Sequence, residues 1–445
     1  MQTQVEVAHD PEFQAGISTP AVEPPARWNA ALSFGFRFAF SYFVLYCFPF
    51  PVGALPYTQK PAEWYELGCH KVVPWIAQHW LHLAQPITIF SNGSGDTTYD
   101  YVKVLCFLVL AAVAAIVWSV LDRKRQNYAR LHQWLRLYLR ITLGATLLSY
   151  GAYKVIPSQF PALAHSRYLE AYGDSSPMGI LWAFMGASKA YTIFAGAVEM
   201  LGGILLFIPR LVTLGALIGI AAMTNVFILN MSYDVPVKLY SFHLLALGMF
   251  LVLPEMKRLG DFFAFNRTTG PQPPALQFRR RWLNRGFLVG QMLLGVVFGG
   301  YSLYQSHHQF KSYMELTTKP PLAGVWAVDE FAVDGQPRPP LLTDETRFQK
   351  VLFDYNVSVT LQGMDGKLLR LPAKIDLNKK TIELTKRADP KWKANLNYEL
   401  SGPGGMIMDG LLGGQKAHIK LHHIDSNYLL KNRGFHWINE FPFNR

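Results

Sequence analysis

Cysteine, charge and an apolar leader are what this chain has least of. Cys47, Cys69 and Cys106 are its three cysteines in 445 residues. They are too few for a disulfide scaffold, their odd number leaves at least one thiol unpaired, and any pairing among them stays open. Charged residues make up only 16% and hydrophobic ones 50%, against about 25% charged in soluble domains. That balance excludes an ordinary soluble globular protein and points to several membrane spans with a soluble portion beside them. No CxxC, haem-attachment sequence or dinucleotide-binding glycine pattern is present, so no covalent haem or flavin is expected. An oxidoreductase built on this chain would bring in its redox carrier. Residues 1–28 are polar, with Pro20, Pro24 and Pro25 and no apolar core. They argue against a cleavable signal peptide and read as a disordered cytoplasmic tail. The formal net charge of +12 would suggest nucleic acid if the basic residues lined a folded face. They gather instead in short loops between apolar runs, which removes nucleic acid and makes the lipid bilayer the expected partner.

The apolar runs predict about seven transmembrane helices. The plainest is Tyr191 to Asn230, two spans back to back separated by Pro209-Arg210. Each is about 20 residues, enough at 1.5 Å rise to cross roughly 30 Å of hydrocarbon. The others run from Leu32 to Phe50, Tyr101 to Leu121, Trp134 to Ile156, Val237 to Leu253 and Phe287 to Tyr304. The implied domains are two helices within 29–133 around an outer loop 52–98, a bundle at 134–254, a basic loop at 255–286 and a last helix at 287–304. Arg123, Lys124, Arg125, Arg210 and the group from Lys257 to Arg285 mark one side of the membrane. The positive-inside rule then puts the N-terminus in the cytoplasm and everything after Tyr304 outside. The lack of a targeting segment and the low cysteine content suit a bacterial cytoplasmic (inner) membrane.

From residue 320 to 445 the pattern changes to period two. Val357–Leu361, Ala373–Leu377 and Ala417–Leu421 alternate as strands with one buried face, and Asp365-Gly366, Asn378-Lys379 and Gly413-Gly414 supply turns. An antiparallel β-barrel of about eight strands is expected, with Met406, Met408, Leu411 and Leu412 available to fill it. Gly324-Val325-Trp326 opens the first strand and Arg433 lies in or near the last. In a closed meander these strands are neighbours, so Arg433 is expected to stack on Trp326.

Several residues can carry chemistry. Arg140 lies about six residues from the inner boundary on its span and Glu199 about nine, a depth difference of roughly 5 Å. They are expected to pair, either as an ion pair that fixes packing or as a ligand contact. Gly144, Gly151, Gly202 and Gly203 let the two helices approach closely. On the outer half, Ser149, Tyr150, Lys154, Asn225, Asn230 and His243 could hold a quinone headgroup in an apolar slot. Ordinary interhelical hydrogen bonds would use the same residues. In the outer loop, His79 and His82 share a face if helical, and with His70, Asp96 and Asp100 could complete a metal site. Trp75, Ile76, Trp80 and Leu83 interleave with those histidines and favour an interfacial amphipathic helix instead. Asn92 to Asp96, Asn-Gly-Ser-Gly-Asp, reads as a turn rather than a phosphate cradle.

The pattern Arg140…Gly144…Gly151-Ala-Tyr-Lys154 with Glu199-Met-Leu-Gly202-Gly203 resembles the DoxX family of small four-helix membrane proteins, over about residues 134–253. The resemblance implies a four-helix bundle and a link to quinone-coupled oxidation of sulfur compounds or thiols, with a redox partner protein. The long loop after the Trp134–Ile156 span, the three added spans and the β domain depart from that family. Gly-x-Trp with a late Arg is similar to lipocalin-like barrels, which implies a ligand cavity. Two functional classes follow: a quinone-linked oxidoreductase component, or a non-catalytic membrane-anchored protein that binds a ligand or partner through its outer β domain.

Overall fold

A computed structural model of the chain describes residues 27–50, 59–87, 89, 93–269, 276–319 and 321–444. The expected tail up to residue 26, Pro51, the loop start at 52–58 and Asn92 of the expected turn lie outside the described residues. The chain divides into two compact units, one of Met1–Val73 with Val102–Arg136, the other of Pro74–Tyr101 with Leu137–Arg445.

Twelve α-helices are assigned among the described residues. They are α1 (Ala30–Cys47), α2 (Gln59–His79), α3 (Thr98–Leu121), α4 (Ala129–Val155), α5 (His165–Leu169) and α6 (Pro177–Ala187). There follow α7 (Lys189–Phe207), α8 (Val212–Ser232), α9 (Lys238–Val252), α10 (Met256–Phe263), α11 (Arg281–Leu316) and α12 (Leu429–Asn432). Among the described residues six helical segments are long and apolar enough to cross a membrane: α1, α3, α7, α8, α9 with its continuation to Phe263, and α11. α4, the expected third span, has the length at 27 residues but is not one of the six. The Pro209-Arg210 break falls between α7 and α8 as expected. α11 is 36 residues long, far beyond the Phe287–Tyr304 span expected from hydropathy.

In the first unit, α1 carries a buried arginine. Arg37 donates from Nε and Nη2 to the Tyr128 hydroxyl at 3.0 and 2.7 Å, and from Nη1 to Ser119 Oγ at 2.7 Å. Tyr128 donates onward to Asp122 Oδ2 at 2.9 Å. A charge on an apolar helix is tolerated here because a phenol, a hydroxyl and a carboxylate take it up together.

In the second unit, the C-terminal residues form an antiparallel β-barrel. Its strands are β1 (Gly324–Val333), the two-residue β2 (Gln336–Pro337), β3 (Phe348–Tyr355), β4 (Ser358–Gly363), β5 (Leu368–Asp376), β6 (Thr381–Thr385), β7 (Lys393–Ser401), β8 (Gly405–Leu412) and β9 (Gln415–Ile424). β1 and β3 to β9 form a meander, and β1 pairs with β9 to close eight strands. The three expected turn pairs sit between β4 and β5, β5 and β6, and β8 and β9. Trp326, Phe331, Phe348, Phe353, Met406, Met408 and Leu421 are among the residues filling the interior. Leu412 packs against that core, whereas Leu411 is exposed, since strand parity turns it outward.

The expected Trp326–Arg433 stack is replaced. The last strand ends at Ile424, and Arg433 follows α12 with its guanidinium 3.9 Å from the Phe443 ring and Nη2 donating to Asn439 at 2.6 Å. What stands across from Trp326 on the last strand is His423, edge-on at 5.3 Å between ring centroids. The same ring explains Gly324. Its φ is +122°, and a Cβ there would lie 2.5 Å from His423 Nε2, so glycine suits both the backbone and the space.

Candidate functional site

The seam between α4 and α7 is built on glycine. A Cβ at Gly151 would lie 2.6 Å from the Gly196 carbonyl oxygen, one at Gly196 would lie 2.6 Å from that of Gly151, and one at Gly203 would lie 2.9 Å from that of Gly144. The two backbones therefore meet directly, the close approach that small residues permit in membrane helices. α11 joins the same seam, since a Cβ at Gly295 would meet Phe207 at 2.7 Å. At the C-terminal end of α4 Ser306 Oγ donates toward the carbonyls of Ala152 (3.0 Å) and Ile156 (3.2 Å).

Across this seam lies a buried ion pair, and it is not the one expected. Lys154 Nζ donates to both carboxylate oxygens of Glu199, at 2.8 and 2.7 Å, with both side chains under 10% exposed. Arg140 is also buried, but Glu199 is taken by Lys154. Side-chain direction explains the outcome. Helical side chains lean toward their own N-terminus, and α4 and α7 run antiparallel, with Gly151 against Gly196 and Gly144 against Gly203. Lys154 and Glu199 lean toward each other and span about 9 Å of axial offset. Arg140 lies level with Phe207, about 12 Å from Glu199 along the axis and leaning away.

The remaining outer-half residues divide. Tyr150 stays with the pair, its ring centroid 5.7 Å from Lys154 Nζ and 6.1 Å from the Tyr240 ring. Asn230 is buried and donates to Ser241 Oγ at 3.0 Å. His243 is buried with Nδ1 2.6 Å from the Leu239 carbonyl of its own helix. Asn225 is exposed on α8. Of the donor cluster expected from sequence, Tyr150 and Lys154 stay together, with Glu199 beside them.

The candidate metal ligands lie in separate surroundings. Among the described residues no group of three or more His, Cys, Asp or Glu is placed to hold a metal ion. His79 turns its Nδ1 to the Trp75 carbonyl at 2.9 Å and stacks on that ring, while His82 follows with φ of 49°. Asp96 accepts from the backbone N–H groups of Lys238 and Leu239 at 2.8 and 2.9 Å, capping α9. Asp100 accepts from Thr97.

A second concave feature lies where the connection after α4 meets the barrel. A cavity of about 440 Å³ is lined by the segment from Pro157 to His165, by Gly186 and Lys189, by α11 from Phe310 onward and by Gly324 and Phe353–Tyr355 of the barrel. Asp354 holds the two sides together by accepting from His165 N (2.8 Å) and Ser166 N (3.0 Å), the first N–H groups of α5. Burial holds the His165 imidazole below its ordinary pKa, partly offset by the Asp354 carboxylate. Tyr168 stacks on Tyr428 at 4.4 Å.

Compared with known proteins, the chain is 30% identical over 124 residues to the uncharacterized protein YwoB of Bacillus subtilis, a match covering 28% of this chain and 79% of that protein. The chain belongs to the YwoB family. No family model matches it, and no solved structure matches it. The matched length leaves most of this YwoB-family chain outside the likeness, and the name of the relative carries no activity to transfer.

Two constellations of this YwoB-family chain were missed from sequence: the Arg37–Tyr128–Asp122 network and the Asp354 cap on α5. Arg37 on an apolar span was a signal for the first. Nothing local announced the second, whose partners are separated by 188 residues and more.

Proposed function

We propose that this chain is a multi-pass membrane protein, DoxX-like in its bundle, that serves as a component of a quinone-linked oxidoreductase acting on sulfur compounds or thiols. In this reading α4 completes a seventh span, the N-terminus is cytoplasmic and the lipocalin-like barrel lies outside a bacterial inner membrane. The observation that carries it is the Lys154–Glu199 pair, closed off from solvent across a glycine seam. An ionisable pair in an apolar bundle marks a functional site by default, because desolvating two charges is costly. The donor set suits an oxygen-bearing headgroup: a buried ammonium with a half-exposed phenol beside it. A bound quinone would supply two-electron, two-proton chemistry, and Tyr150 and Lys154 would hold it. Glu199 accepts from Lys154 Nζ with both carboxylate oxygens and so fixes where that amine points; the seam excludes water from it. Electrons come from the sulfur substrate through a redox partner protein.

The test is to purify the protein in mild detergent, extract it for quinone and follow quinone redox state after adding a dithiol or sulfite. Quinone is expected to co-purify and to be reduced, and Glu199→Gln and Lys154→Ala to stop the reduction. Absence of quinone, with electron transfer indifferent to Lys154→Ala and His243→Ala, overturns this reading. The cavity at the barrel's base then favours the other class, a membrane-anchored ligand-binding protein. Reporter fusions at Asn127 and Asn432 are expected on opposite sides of the membrane; the same side for both overturns the topology.

A further inference from the structure

Between Asp261 and Glu315 the chain carries no acidic residue, and the four arginines around the start of α11 fall inside that stretch. Earlier cations of the same connection have partners: Arg258 donates to Glu255 at 2.6 Å, and Arg267 lies 4.0 Å from Asp261. Arg279, Arg280, Arg281 and Arg285 are exposed and make no ion pair among the described residues. They are nevertheless held in place. Phe278 N donates to Asn284 Oδ1 at 2.7 Å, and Asn284 Nδ2 donates back to the Phe278 carbonyl at 3.0 Å. The Phe278 ring meets Phe287 edge-on at 5.3 Å. This clasp folds the arginine run against a helix that has no acidic residue in its first turn. Like charges so close repel one another, and no carboxylate among the described residues offsets them. The patch is the complement of an anion that the chain itself does not supply.

The rest of the helix narrows the kind of anion. Arg281 and Arg285 share a face at i and i+4, and the same face continues through Leu288, Met292 and Val296. All three apolar residues are exposed, Val296 to 70%, so the stripe has no cover among the described residues. It runs about 12 Å along the axis, most of one leaflet of a hydrocarbon core roughly 30 Å thick. Trp282 is 63% exposed where charge gives way to stripe, the position that aromatic rings favour at a membrane surface. A nucleic acid or free phosphate matches the cations alone; a phospholipid matches cations and stripe in the same order. We propose that the start of α11 binds an anionic phospholipid of the surrounding bilayer, its phosphodiester between Arg281 and Arg285 and an acyl chain along Leu288, Met292 and Val296. Arg279 and Arg280 meet the neighbouring headgroups. This rests on the multi-pass placement of the proposed function and is independent of its redox chemistry.

The test delipidates the full chain in a non-ionic detergent and counts lipid adducts by native mass spectrometry. Dioleoylphosphatidylglycerol is the probe, and dioleoylphosphatidylcholine, with the same chains and phosphate but no net charge, is the control. Inorganic phosphate and a short DNA duplex are the competing anions. The phosphatidylglycerol adduct is expected to form with a Kd about tenfold or more below that of phosphatidylcholine. Arg281→Gln with Arg285→Gln is expected to raise that Kd about thirtyfold, roughly fivefold for each cation at an anionic lipid. Both side chains are exposed, so the melting temperature without lipid is expected to stay the same. Lys257→Gln with Arg267→Gln removes as much charge from the same connection and is expected to leave the Kd within about twofold. Met292→Asn is expected to weaken the dioleoyl lipid while leaving dihexanoylphosphatidylglycerol unchanged, a split that contact through charge alone does not give. Equal retention of the two dioleoyl lipids, or an equal loss in the Lys257 and Arg267 variant, overturns the site. Phosphate or DNA displacing phosphatidylglycerol overturns the lipid assignment. The reporter fusions at Asn127 and Asn432 test the membrane placement by itself, whatever the lipid result.

Discussion

The bundle and the barrel bury their interiors by opposite means. In the barrel, backbone groups are satisfied strand to strand and the inside is filled with large apolar side chains, Trp326, Phe331, Phe348 and Met406 among them. In the α4–α7 seam the backbones themselves touch, through Gly144, Gly151, Gly196 and Gly203, and the buried cargo is an ion pair. The difference teaches where each region is vulnerable. The barrel suffers when volume is taken away, the seam when volume is added or a charge is left alone.

The largest expected effect tests the barrel. Trp326→Ala removes a side chain that is 2% exposed and donates Nε1 to the Leu322 carbonyl at 2.8 Å. A loss of about 3–5 kcal/mol is expected, read from thermal or denaturant melting of residues 320–445 expressed alone, which should form a soluble, cooperatively melting β protein. In the seam, Lys154→Met leaves Glu199 without its cation and should cost about 3 kcal/mol or more. The double change Lys154→Met with Glu199→Leu should recover most of that, measured as detergent-solubilised melting; a double variant no better than the single one would show that charge is not what matters. Gly151→Ala places a methyl within 2.6 Å of the Gly196 carbonyl and should cost about 1–3 kcal/mol, whereas Asn225→Ala on the exposed flank should stay within about 0.5 kcal/mol.

Smaller effects sharpen the contrast at the barrel's two ends. Asp354→Ala removes the cap on α5 and should cost about 1 kcal/mol, visible as faster hydrogen exchange at His165 and Ser166. At the other end, Asp344 accepts from the Thr346 hydroxyl at 2.7 Å, and that bond above all holds its carboxyl down from 3.8 to about 2. A depressed carboxylate stabilises the fold above the unfolded value and loses that contribution as pH falls through the folded one. The barrel should therefore lose stability between pH 3.8 and about 2, and Asp344→Asn should flatten that part of the profile.

How much of this was legible in the sequence follows from the range of each signal. Period-two alternation and paired turn residues are local, so the strands at Val357, Ala373 and Ala417 and all three turns could be placed. The Pro209-Arg210 break was equally local. Lys154 was visible as a candidate and Glu199 as a mid-span carboxylate, but their pairing was not. Counting depth treats side chains as points, while each helix tilts its side chains toward its own start, which brought Lys154 in and took Arg140 away. Arg433 failed for a different reason: a strand was assumed where α12 and an irregular tail follow Ile424. The cavity depends on a loop, a helix end and a strand that lie far apart in sequence, so no local pattern could have announced it.

α11 is continuous over 36 residues, about 54 Å. Its far end is clipped into the barrel, where Asn356 N donates to the Leu316 carbonyl at 2.8 Å and Thr317 bridges to Tyr355. Lower down, Ser306 fastens the same rod to the end of α4. A stiff rod pinned at two heights behaves as a lever. Pivoting it by about 5° at Ser306 would carry Leu316, about 15 Å further along the helix, through about 1.3 Å. A tilt of α11 at the glycine seam would therefore reach the barrel's β3–β4 corner through the short arm beyond Ser306.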